Sequence, residues 1–192
     1  GMAIFSKMRI QTDAVVDLSA TLWRDVDGAI LPSVDGAPFP SEAAQAVQRV
    51  SSASHWIVPI APQDTPPFSL LAWSATPPVF DGPEDRNGLR KRDELRMWAN
   101  LLDTDPPSSF VIAGNANLDP VDGGGLRDAM ATFLARDDVI DPQPKSTGGT
   151  TAADLDHRGK PALDTADWPD DRPGNLRVSY VLPSRDWTVI DA

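Results

Sequence analysis

Phe110-Val111-Ile112-Ala113 is a short apolar run that ends abruptly in Gly114-Asn115-Ala116-Asn117-Leu118-Asp119-Pro120. An uninterrupted run of this kind reads as a buried strand. The Gly- and Asx-rich string after it reads as a tight turn. A buried strand must be covered on both faces, so the chain must build a sheet flanked by other layers. Polar residues delivered at the end of such a strand are well placed for chemistry.

The rest of the chain supplies those layers. His55–Ile60 and Phe68–Ala75 read as two strands, joined through the Pro62–Pro67 segment as a hairpin or a sheet edge. Ala3–Ser6, Leu176–Pro183 and Trp187–Ile190 read as further strands. Leu89–Leu102 is the clearest helix, with Leu95, Trp98, Leu101 and Leu102 on one face. Leu126–Leu134 follows as another, after Gly123-Gly124-Gly125. Ser41 is an N-cap, with a stripe from Ala43 through Ala44, Ala46 and Val47 to Val50. Strands and helices alternate irregularly, which predicts α/β or α+β with one mixed sheet and flanking helices. Residues 137–174 are acidic and Pro-rich without clear elements, a length that in an ordered chain is often near a site.

Composition excludes several classes. The 192 residues fit a single domain over 1–192. There is no cysteine, so disulfides, thiolate metal sites and cysteine nucleophiles are excluded. No apolar run approaches the ~20 residues of a membrane span. The N-terminus lacks the basic-then-apolar plan of a signal peptide, so the default expectation is a cytoplasmic protein. A net charge of −11 argues against duplex nucleic acid as a partner. The densest basic cluster, Arg90-Lys91-Arg92, is diluted at once by Asp93 and Glu94.

Asn115, Asn117, Asp119 and Asp122 have the spacing of a calcium loop. Pro120 and Leu126 stand where an EF-hand needs Gly and Glu, so that plan is excluded. Gly123–Gly125 before a helix reads first as a turn and second as an anion cradle. The acidic loop Asp164, Asp167, Asp170, Asp171 reads first as solvated; Asp164 and Asp167 are its candidates for a divalent ion. Ser74 and Ser179 have no His and acid in pattern with them, so serine-hydrolase chemistry is unsupported.

Five strings together resemble the endonuclease/exonuclease/phosphatase superfamily, in its bacterial branch of phosphatase- or endonuclease-like proteins. They are Gly1–Lys7, Arg49–Pro59, Thr76-Pro77-Pro78-Val79-Phe80-Asp81-Gly82-Pro83-Glu84-Asp85-Arg86-Asn87-Gly88, Gly114–Pro120 and Gly174–Ser184. The resemblance implies a DNase-I-like sandwich, here mainly one mixed sheet and lacking the N-terminal half. It implies metal-assisted attack of water on a phosphate ester, with magnesium if activity is retained.

The same resemblance implies site residues. The family's Gly-Asp-x-Asn motif sets an Asp on the metal or the attacking water and an Asn on the phosphate. Here Asn115 stands at the Asp position and Asn117 is retained. Ser74 stands where the family has a His before Thr-Pro-Pro, and Ser179 where an Asp orients the catalytic His. That His and the metal-binding Glu fall outside this chain. Arg86, Asn87, Asn117 and His157 are the implied substrate contacts. An amide neither takes a proton nor carries a full charge, so the expectation is a catalytically degenerate member acting as a binding or interaction module. The alternative is a metal-dependent phosphoesterase with residual activity, or one complemented by a separate N-terminal half. Full-length relatives of this branch include exported proteins by the same implication. A single sheet with Ile4, Ile57, Leu71, Val111 and Val178 on one face would need cover. The expected cover is a second copy in a homodimer, or that separately encoded half.

Overall fold

A computed structural model describes residues 1–192. Its eight strands are β1 (Arg9–Ile10), β2 (Val16–Asp17), β3 (Ser33–Val34), β4 (Ala37–Pro38), β5 (His55–Ala61), β6 (Phe68–Ser74), β7 (Phe110–Asn115) and β8 (Ser179–Pro183). Its helices are α1 (Glu42–Gln45), α2 (Arg86–Thr104), α3 (Arg127–Leu134) and α4 (Thr147–Thr151). One sheet runs β1-β5-β6-β7-β8, with β2 also on β5; β3 and β4 form a separate ribbon. The β6–β7 pair is parallel and the other pairs antiparallel, so the sheet is mixed as expected. No helix is long and apolar enough to cross a membrane.

Side chains alternate faces along each strand. One face carries Leu71, Trp73, Ile112, Tyr180 and Leu182, all buried beneath Leu95, Trp98 and Leu102 of α2 and Met130 and Phe133 of α3. A smaller cluster, Trp23, Val26, Val50 and Met97, packs on the other side of α2. The opposite sheet face is less covered. Leu70, Val111 and Ala113 are half-buried there, and Val181, opposite Ala113, is 60% exposed. A cavity of about 460 Å³ separates Leu70, Ala72 and Ala113 from Met2–Phe5.

Several expectations are corrected. Ile4, Ile57, Leu71, Val111 and Val178 do not share a face: Ile57 and Leu71 pair on the helix-covered side, and Val111 lies on the other. Ala3–Ser6 forms no strand; pairing begins at Arg9, and Phe5 is 95% exposed. Trp187–Ile190 forms none either, because Trp187 turns back to pack edge-on against Phe68 at 5.2 Å. The Ser41 cap is present, its Oγ accepting from Ala44 N–H at 3.2 Å. The helix nevertheless stops at Gln45. Beyond it the backbone is drawn into a bridge, Trp23 N–H donating to Gln48 O and Val50 N–H to Thr21 O. The last strand begins only at Ser179, since Leu176 is bridged to Ala166 of the acidic loop.

Gly114 is required where β7 leaves the core. A Cβ there would lie 2.0 Å from Trp73 O and 2.7 Å from the Trp73 indole. Backbone cannot yield as a flexible side chain does. Gly114→Ala is expected to cost about 1–3 kcal/mol through overpacking; a denaturant melt with an unchanged midpoint would contradict this.

Candidate functional site

β6 runs into α2, and α2 returns to β7 lying parallel beside β6. This connection brings the C-terminal ends of both strands to one edge. β8 is antiparallel, so its first residue meets them there. The register pairs Ser74 with Asn115 and Asn115 with Ser179. Three positions far apart in sequence thus form one row across the sheet.

The turn after this row is held from within. Asn115 Oδ1 accepts from Asn117 N–H at 2.9 Å. Asn117 sits at φ +49°, a left-handed conformation that Asn tolerates well, and its Nδ2 donates to Ala75 O at 2.7 Å. Ala116 and Leu118 point into the core, each 1% exposed. Asp119 accepts from Val121 and Asp122 N–H with one oxygen and from Arg177 N–H with the other. The Tyr180 hydroxyl lies 2.9 Å from Leu118 O and 2.7 Å from Arg177 O, so its proton also ties the turn down.

From beneath, α2 brings buried charged side chains to the same turn and to the loops around it. Lys91, Asp93 and Glu94 are each 0% exposed. Lys91 Nζ donates to Asn117 O at 2.7 Å, and burial lowers its pKa to about 7. Glu94 accepts from Ser52 N–H, Ser52 Oγ and Thr76 N–H, fixing the residues just past Ser74. Burial raises its pKa, against those hydrogen bonds. The signal was helical spacing: positions 91 and 94 fall on the face of Leu95 and Trp98. Gly125 serves the same packing, since a Cβ there would meet Lys91 Nζ at 2.7 Å and Pro78 Cβ at 2.8 Å. The glycine run is therefore a close-approach turn.

The other predicted residues lie apart from the row. Asn87 is spent on its own loop, its N–H donating to Asp81 Oδ2 and its Nδ2 to Val79 O. Arg86 opens α2, its buried Nε without a partner. Neither hydrogen-bonds to the turn. His157 lies in a second cluster, its Nε2 3.5 Å from Asp122 Oδ2 and 3.6 Å from Asp164 Oδ2. The side chains of His157 and Asp164 are each 4% exposed. His157 Nε2 and Asp164 Oδ2 lack a hydrogen-bond partner. Asp122 spends its oxygens on Arg158 and Gly159 N–H. Asp167 is exposed, and it lines a cavity of about 290 Å³ together with Asp164.

Magnesium takes oxygen ligands, chiefly carboxylates. The row offers one amide and two hydroxyls, and no three His, Asp or Glu side chains converge as metal ligands. The residues at the strand ends do not fit the ion.

A model of the endonuclease/exonuclease/phosphatase family matches residues 1–192. The chain belongs to this family. No curated protein sequence matches it. Among solved structures it is similar to an endonuclease/exonuclease/phosphatase from Beutenbergia cavernae DSM 12333 at 16% identity and a TM-score of 0.47. That match covers 71% of this chain and 33% of the other. It is also similar to sphingomyelinase C from Streptomyces griseocarneus at 13% identity and a TM-score of 0.42, covering 71% and 44%. The chain thus spans less than half the length of either.

Asp164 gives the second cluster a pH dependence of its own. Burial raises its pKa to about 6, with His157 opposing and Asp119, Asp122 and Asp154 adding to the rise. A raised carboxyl favours folding while protonated, and that contribution is lost as pH rises from 3.8 through 6. Asp164→Asn mimics the protonated form. It is expected to raise the melting temperature at pH 7.5, with the gain fading by pH 4. A gain that is the same at both values, or a loss at pH 7.5, would refute the assignment.

Proposed function

We propose that this chain is a catalytically degenerate member of its family that acts as a binding or interaction module. The observation that carries the reading is the Ser74–Asn115–Ser179 row, which holds no ionisable side chain where the family's chemistry needs acids and a histidine. Loss of a general base alone costs ~10²–10⁴ in rate. Asn115 Oδ1 is also engaged by Asn117 N–H, and Asn117 Nδ2 by Ala75 O just past β6. The test is hydrolysis of bis(p-nitrophenyl) phosphate and p-nitrophenyl phosphate with magnesium or manganese. No EDTA-sensitive turnover is expected. Turnover that EDTA abolishes overturns the reading and restores a metal-dependent phosphoesterase, residual or complemented by a separate N-terminal half.

The open sheet face supports the interaction role. Leu70, Val111 and Ala113 are only half-buried and Val181 is 60% exposed, and apolar patches of this kind mark contact surfaces. The partner in this reading is a second copy of the chain. Sedimentation equilibrium at micromolar concentration should give a dimer, and Val181→Glu should give a monomer. A wild-type chain that stays monomeric ends the dimer idea.

A further inference from the structure

The outer side of the helical layer holds a groove of about 490 Å³ between α2 and α3, remote from the Ser74–Asn115–Ser179 row. Leu95 and Phe133 form its floor, each 3% exposed, and Ala99 lines its wall. Ile30 stands at its mouth, 48% exposed. Its volume falls among ligand pockets, which run roughly 300–1,000 Å³.

One arginine without a carboxylate partner sets this groove apart. Arg92, Arg96 and Arg136 border it against the single carboxylate of Asp128. Three further carboxylates, those of Asp93, Asp103 and Asp138, stand against two of these arginines. Two of the cations are already engaged. Arg136 pairs with Asp103 at 2.8 Å and Asp138 at 2.7 Å. Arg92 spans Asp93 Oδ1 at 2.5 Å and Gly28 O at 3.2 Å. Arg96 differs. Its Nε donates to Asp27 O at 2.5 Å, which fixes the plane of the guanidinium. It forms no salt bridge, and its terminal nitrogens have no acceptor in the protein. An oriented guanidinium with free N–H groups is matched by the paired oxygens of a carboxylate or another oxyanion. The apolar floor beside it is matched by a flat hydrocarbon.

We propose that this groove binds a small aromatic carboxylate, its carboxylate on Arg96 and its ring against Leu95, Ala99 and Phe133. The charge fixes the orientation and the buried floor supplies the apolar contact. Arg92 and Arg136 flank it, neutralised by their own carboxylates.

The test titrates the protein with 2-naphthoate and, separately, with the neutral analogue 2-naphthylmethanol, following backbone amides by NMR. Naphthoate should give saturable shifts at Leu95, Ala99 and Phe133, and the alcohol should bind at least ~10-fold more weakly, since each factor of ten needs only about 1.4 kcal/mol. Arg96→Gln should reduce naphthoate affinity by a similar factor, and Ala99→Trp, which fills the groove, should abolish the shifts. Thermal melts of both variants establish that they fold, and either one alone decides the outcome. The proposal is overturned by any of four results: no saturable shifts at millimolar naphthoate, equal binding of the alcohol, unchanged affinity in a folded variant, or shifts confined to the open sheet face around Val111 and Val181.

Discussion

The structure depends on the buried charges of α2. A lone ion taken out of water costs several kcal/mol even after the protein relaxes, and α2 buries Lys91, Asp93 and Glu94 completely. Loops bring hydrogen bonds to each, and Arg92 of the same helix pairs with Asp93. Asp93 accepts from Trp23 Nε1 and Ile30 N–H. Glu94 gathers Ser52 and Thr76, and Lys91 holds Asn117 O. Arg90 adds the carbonyls of Arg49, Val50 and Ser51. Hydrogen bonds to charged groups contribute about 1.5–3 kcal/mol each, so the three on Glu94 offset much of its desolvation, whereas Lys91 has one and a pKa lowered to about 7. The helix is thus a strut whose polar face is turned inward. Loops from four parts of the chain close onto it.

That arrangement extends to the imidazole of His55, which sits between Trp73 and Trp98 with ring centroids 5.5 and 5.2 Å away. Its nitrogens lie 2.9 Å from Ser51 Oγ and 3.1 Å from Glu94 O. Burial drives its pKa down to about 4, so it is neutral in the folded protein near pH 7. A neutral His beneath the sheet suits a structural role. The polar core and the apolar core are therefore one body.

The elements legible in the sequence were those whose own pattern decides them. β5, β6 and β7 follow from apolar runs bounded by Pro and Gly, and α2 and α3 from helical spacing. The row at the strand ends was legible one residue at a time, because the motif string around Asn115 and the strings holding Ser74 and Ser179 are distinctive. Their meeting in one register row is a property of sheet topology that no single string carries. The failures share a cause. Ala3–Ser6 and Trp187–Ile190 have strand-like composition, but a ladder needs a neighbour with free hydrogen bonds, and composition does not supply one. Charged letters are read as surface by default. Lys91 and Glu94 defeat that default because their partners lie in loops 18 to 42 residues away.

The turn after β7 holds its form with an amide at position 115, and the reason is physical. An amide oxygen at position 115 accepts from Asn117 N–H as a carboxylate oxygen would, so exchanging Asp for Asn leaves the Asx turn intact. The turn's anchors lie elsewhere: Ala116 and Leu118 in the core, Asp119 on three backbone N–H groups, Lys91 on Asn117 O. None of them depends on an ion at position 115, 74 or 179. Chemistry and stability occupy different residues of the same seven-residue string, and one can be altered without disturbing the other. A fold built this way is recognisable by its turns whatever groups stand at its strand ends, and so membership of the family does not by itself imply the family's reaction.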